Sequence, residues 1–171
     1  LNFLYITQFI EFFTKNYGFF GMDLTDKKLL ALLQKNADLP LSEISRRIGI
    51  STTPCWNRIK KLEERGIIKH KVSVLDKVKA GFPVTVFLSI TVSNHNSDWY
   101  IKFEEAVVKH GQIMEVHRLT GSSADYLLKI IAKSIEDYDV FQQKLIAEIQ
   151  FTSMASSISL KEIKNSHAIP L

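Results

Sequence analysis

The chain has little from which to build a covalently braced or metal-supported site. One cysteine, Cys55, in 171 residues excludes an internal disulfide and points to a reducing compartment, so the expected setting is cytoplasmic. No run approaches the roughly 18 apolar residues of a membrane span, and residues 1–21 lack the basic start and small-residue cleavage site of a signal peptide. There is no glycine-rich phosphate loop. His70, His95, His110, His117 and His167 share no metal-ligand spacing with one another or with the acidic residues, and no nucleophilic Ser/His/Asp motif is formed. These absences predict no metal, no cofactor and no catalytic centre.

What the chain does have is charge of one sign in one place. The net charge is only +4, but residues 22–71 hold eleven Lys and Arg against six Asp and Glu, whereas residues 72–171 hold ten against eleven. A polyanion partner draws on such a concentrated positive region. The length allows one medium domain or two small ones, each with its own core.

The basic region contains LSEISRRIGISTTPCWNRIKKLEER, residues 41–65, which reads as two short helices meeting at Gly49-Ile50-Ser51. Ser45 is small where the helices must approach, and Ile44, Ile48 and Ile50 supply buried positions. Ser51 and Thr52 can accept hydrogen bonds from the first amides of the second helix, and Pro54 is tolerated in its first turn. Cys55, Ile59 and Leu62 recur at i, i+4 and i+7 and should face inward. Thr53, Trp56, Asn57, Lys60 and Lys61 then face outward. Lys60 and Lys61, with Arg46 and Arg47, offer charge to phosphates; Thr53 and Asn57 suit base edges, and Trp56 is a broad apolar surface. With Ser51 and Thr52 these residues form the candidate contact set for double-stranded DNA. The plainer reading is a solvated amphipathic helix with no partner.

Around this pair, Thr25 is expected to cap a helix running to about residue 36, with Leu29, Leu30 and Leu33 inward. Gly66 ends the second helix of the pair, and residues 67–75 read as a wing and exit strand. Residues 76–83, with Gly81 and Pro83, read as a linker. Residues 1–21 predict a helical extension whose stripe of Phe3, Ile6, Phe9, Ile10 and Phe13 covers an apolar surface on this chain or on a second copy.

From residue 84 the period changes. Val84, Val86, Leu88, Ile90 and Val92 alternate with Thr85, Phe87, Ser89 and Thr91, the pattern of a two-faced strand. A helix over residues 97–110 presents Trp99, Phe103, Ala106 and Val107. Strands over 113–120 and 125–132 flank the turn Gly121-Ser122-Ser123-Ala124. Ser134 opens a second helix that buries Tyr138, Phe141 and Leu145, and a last strand carries Met154, Ser156, Ile158 and Leu160. The order βαββαβ predicts a ferredoxin-like antiparallel sheet with helices on one face. Its other face, with Phe87 and Thr91, needs a cover, which predicts a homodimer.

Three stretches carry a resemblance to a known family: Asp23-Leu24-Thr25-Asp26; the segment from Ile48-Gly49-Ile50-Ser51 to Cys55; and the run from Arg58-Ile59-Lys60-Lys61-Leu62 to Ile68. They resemble the DNA-binding domain of the Lrp/AsnC (feast/famine) transcription regulators. Thr120-Gly121 and Asp125-Tyr126-Leu127-Leu128-Lys129 resemble that family's ligand-sensing domain. The likeness spans about residues 22–164 and implies an α+β protein: a winged helix-turn-helix domain over 22–75, the linker over 76–83, and a ferredoxin-like sensing and oligomerisation domain over 84–171. It also implies dimers that assemble further, to tetramers or octamers, and an amino acid or related metabolite as effector at Thr120, Gly121, Ser122, Ser123, Asp125 and Tyr126. Asp125 is the expected partner of the effector's ammonium group. The chain departs from the usual pattern, which puts an acidic residue directly after the glycine; here Ser122-Ser123-Ala124 lengthen the turn by about one residue. Two alternatives share the plan. One is an architectural DNA-binding protein without effector. The other is an enzyme like the sirohaem decarboxylases, which would use His117 and Arg118 but whose extended His/Tyr/Arg pattern is not seen here.

Overall fold

The computed structural model describes residues 21–93 and 96–171, and the helix expected within residues 1–21 lies outside them. The chain divides into two compact units: the first runs to Val72 and takes in Asn165–Leu171, and the second is Ser73–Lys164.

The first unit is a three-helix core of α1 (Leu24–Leu33), α2 (Leu41–Ile48) and α3 (Thr52–Glu64). The cap of α1 is Asp23 rather than Thr25. Asp23 accepts from the Asp26 amide at 2.8 Å while Asp26 accepts from the Asp23 amide at 3.3 Å, a reciprocal arrangement a shorter-reaching threonine inside the first turn cannot make. The helix also stops at Leu33, earlier than expected. Leu29, Leu30, Ile44, Cys55 and Leu62 are buried together, with Leu33, Ile48, Ile50 and Ile59 packed around them. Each such apolar side chain contributes about 1.5–3 kcal/mol by leaving water. Ser45 is buried where α2 meets its neighbours, and its hydroxyl donates to the Ser42 carbonyl at 2.9 Å, so no polar group is stranded. Gly49, at φ +81, makes the turn into α3, a left-handed conformation that a side chain resists. Ser51 sits in the capping position of α3 but makes no side-chain capping bond.

Residues 67–75 form no strand, contrary to the sequence reading. Gly66, at φ +68, reverses the chain, and the amides of Ile67 and Ile68 both return to the Leu62 carbonyl, at 2.9 and 3.1 Å. Those donors close the end of α3 and are lost to a ladder. Beyond them Val72, Val74 and Leu75 are exposed, with no strand paired to them among the described residues. At the other end of the chain, Gln34 holds the tail: its Oε1 accepts from the Ile169 amide at 2.7 Å and its Nε2 donates to the Ile169 carbonyl at 3.3 Å.

The second unit contains β1 (Val84–Thr91), α4 (Ser97–Lys109), β2 (Ile113–Arg118), β3 (Tyr126–Ala132), α5 (Ile135–Glu148) and β4 (Ser153–Ile158). The strands form an antiparallel sheet in the order β2-β3-β1-β4, as the βαββαβ pattern requires. Val86, Leu88 and Ile90 of β1 and Tyr126, Leu128, Ile130 and Ala132 of β3 are buried with Phe103, Ala106, Phe141 and Leu145 from the helices. Trp99 stacks on Phe103 at 4.9 Å, and its indole N–H donates to the Gln150 carbonyl at 2.8 Å. Ser134 accepts from the Asp137 amide at the start of α5, but the Asp137 carboxylate turns to the Lys133 amide and the Gln112 side chain, so the cap is one-sided. The strands are shorter than expected at the hairpin, and Leu160 falls beyond β4, fully exposed.

The sheet face away from the core is mixed. Phe87 is 38% exposed there and is registered against Lys129, which pairs with Glu115 at 2.7 Å. Thr85 is buried, its hydroxyl accepting from Lys77 at 2.7 Å.

Candidate nucleic-acid interface

The inward face of α3 is fixed by Cys55 and Leu62, both essentially inaccessible. Burial pushes the Cys55 thiol pKa up, away from nucleophilic chemistry. That anchoring turns Ser51, Thr52, Thr53, Trp56, Asn57, Lys60 and Lys61 to the surface, where all seven are exposed. Lys60 Nζ lies 5.2 Å from the centre of the Trp56 ring, a cation–π contact that partly orders both side chains, and 3.8 Å from Glu64. A groove of about 430 Å³ runs along Thr53, Asn57, Lys61 and Arg65. Arg65 was missed by the sequence reading, and its place at the end of a lysine-rich helix was the available signal.

The two arginines of α2 are engaged. Glu43 receives Arg46 Nη2 at 2.7 Å and Arg47 Nε at 2.6 Å. Hydrogen bonds from Arg46 and then Arg47 lower the Glu43 carboxyl to about 2. The cluster is in contact with solvent, so a phosphate can displace the carboxylate at little cost.

A second cluster was not foreseen. Arg58 leaves α3 sideways, and its Nη1 donates at 2.7 Å to both Asp23 Oδ2 and Asp26 Oδ1. One guanidinium thereby bridges both carboxylates that cap α1. The Asp26 backbone bond first, and Arg58 second, hold the Asp23 carboxyl below its usual range. The clamp ties the start of α1 to the middle of α3, which sets the angle at which α3 is presented. Its sequence signal was the pair of aspartates three residues apart.

In the second unit, Gly121 has φ +74, and Thr120, Gly121, Ser122 and Ser123 are exposed. Asp125 is half-buried. Its Oδ2 accepts from the Val92 amide at 2.8 Å, and its own amide donates to the Ile90 carbonyl at 2.8 Å, so it ties the hairpin to the end of β1. Tyr126 is buried against Phe103, at 4.9 Å between ring centres. Four of the six candidate effector residues thus stand at the surface, and two pack behind them.

Comparison with known proteins follows this division. Residues 22–69 match the winged helix-turn-helix DNA-binding model, and residues 85–169 match the Lrp/AsnC ligand binding domain. The chain is 38% identical to the HTH-type transcriptional regulator Zrp of Zymomonas mobilis, over 87% of this chain and 97% of that one. The chain belongs to the Lrp/AsnC family of transcriptional regulators. Among solved structures, an AsnC family transcriptional regulator from Agrobacterium tumefaciens superposes with a TM-score of 0.84 at 38% identity, covering 87% of this chain and 97% of that one. A transcriptional regulator of Neisseria meningitidis, solved as a complex with L-Met, superposes at 0.82 with 29% identity, covering 87% and 96%. As an Lrp/AsnC member the protein is a DNA-binding transcriptional regulator and not an enzyme. Among the described residues no helix is long and apolar enough to cross a membrane.

Proposed function

We propose that α3 reads the major groove of duplex DNA through Thr53, Trp56 and Asn57, with Lys60, Lys61, Arg46 and Arg47 on phosphates and Ser51 and Thr52 at the helix start. The observation that carries this is the exposure of that whole face while Cys55 and Leu62 anchor the other. Two copies, paired through the sheet face that bears Phe87, present two such helices to a pseudo-palindromic site with half-sites about one helical turn apart. Dimers then assemble further. The working compartment is the cytoplasm.

The second unit senses an amino acid near the Gly121 hairpin, with Thr120, Gly121, Ser122 and Ser123 in reach of the ligand and Asp125 and Tyr126 positioning the turn. The L-Met complex of the Neisseria relative supports that ligand class. Binding measured by fluorescence anisotropy on selected and random duplexes tests the interface. Lys60→Ala weakens binding to all sequences alike and lowers the salt slope by about one, whereas Asn57→Ala changes sequence preference. No effect from either variant removes α3 from the interface.

A further inference from the structure

The chain passes between its two units twice. It leaves the first at Val72 and returns to it at Asn165, so the last residues of the chain belong with the three helices. The first passage is slack: Val72, Val74 and Leu75 are exposed, and residues 72–75 form neither helix nor strand. Units joined only by such a linker turn relative to one another unless something else restrains them.

The second passage is held at both ends, and each hold lies within one unit. At the near end Lys77 Nζ donates to the buried Thr85 hydroxyl at 2.7 Å and lies 3.6 Å from Glu162, while the Ser159 amide donates to the Thr85 carbonyl at 2.9 Å. At the far end the half-buried Gln34 carboxamide takes both backbone groups of Ile169, accepting from its amide at 2.7 Å and donating to its carbonyl at 3.3 Å. One carboxamide reaches both because an extended residue turns its N–H and C=O to the same side. Pro170 biases the residue before it toward that conformation, so the clip is written into the order Ile169-Pro170. The Ala168 amide, bonded to Ser166 Oγ at 3.3 Å, shapes the chain just ahead of it. Between the two holds the chain from Glu162 to Ile169 reaches at most about 25 Å.

We infer that the C-terminal segment is a releasable strap: clipped at Gln34, it limits the range over which the first unit, and α3 with it, turns about residues 72–75. A second tether of bounded length removes orientations that the linker alone allows. Two hydrogen bonds at a site in contact with water contribute modestly in net terms, so the clip opens without unfolding either unit. On paired half-sites the consequence is a narrower choice of spacing, a consequence that rests on the DNA reading above.

Nitrogen-15 relaxation of the full chain tests the strap without DNA, in the wild type, in Gln34→Met and in Ile169→Pro. The first variant keeps the bulk of the side chain and loses both bonds; the second removes the donor from the tail and leaves α1 untouched. In each variant the rotational correlation time of residues 24–64 falls by about a third or more from its wild-type value, while that of residues 84–158 holds. No change in either variant overturns the strap. On duplexes selected from a random pool, lengthening the half-site spacing by about half a helical turn weakens the wild type roughly tenfold more than it weakens either variant. If the relaxation changes but the spacing penalty is equal in all three proteins, the strap does not limit α3 and the inference is overturned. If the wild type binds no duplex, the DNA reading falls, and the relaxation alone decides the strap.

Discussion

Two guanidinium–carboxylate clusters lie in the first unit and do different work. Glu43 with Arg46 and Arg47 joins residues three and four apart on one helix, with the Arg46 side chain 72% exposed. Arg58 with Asp23 and Asp26 joins residues 35 and 32 apart, with the Asp26 side chain only 12% exposed. The distances are nearly equal; the connectivity is not. A pair within one helix leaves the fold unchanged when it opens, whereas the clamp holds two helices together. Identical chemistry therefore gives a reserve of charge in one place and a brace in the other.

The contrast breaks most visibly in stability. Arg58→Met leaves Asp26 without its guanidinium and should cost about 1–2 kcal/mol, allowing for screening at a side chain 34% exposed. For a domain this small that is a drop of roughly 4–15 °C in the unfolding midpoint of the first unit, followed by circular dichroism. Arg46→Met should leave the midpoint unchanged. An equal drop in both erases the distinction.

A smaller effect is expected in DNA binding. Glu43→Gln frees both arginines, so affinity for a random duplex should rise several-fold at low salt and the salt slope steepen by about one. A loss of affinity means that Glu43 positions the arginines rather than competing with phosphate.

The smallest effect is in acid. The folded Glu43 carboxyl titrates at about 2, below the roughly 4.3 of an unfolded glutamate, so its stabilising contribution is present above about pH 4–5 and lost as pH falls toward 2. Its carbon chemical shift, followed by NMR, should show this midpoint, and Arg46→Ala with Arg47→Ala should move it upward. A midpoint near 4.3 in the wild type means the cluster does not form in solution.

Much of the architecture was legible because it rests on local periodicity. The spacing of Cys55, Ile59 and Leu62 announced the buried face of α3, and the alternation from Val84 to Val92 announced β1. What failed depended on competition for single backbone groups. Thr25 lost the cap to Asp23 because a carboxylate paired with Asp26 satisfies two amides at once. The strand over residues 67–75 lost its first donors to the Leu62 carbonyl. One contact of Asp125 was not legible either: its Oδ2 accepts from the Val92 amide, 33 residues earlier, just past the end of β1.

The order of elements, the outward face of α3 and the concentration of positive charge follow from the residues alone, since period and charge are properties of neighbours along the chain. That Arg58 meets Asp23 and Asp26 was decided only by folding. Those partners lie tens of residues apart, and only packing of the cores sets the few ångströms over which a hydrogen bond forms or fails.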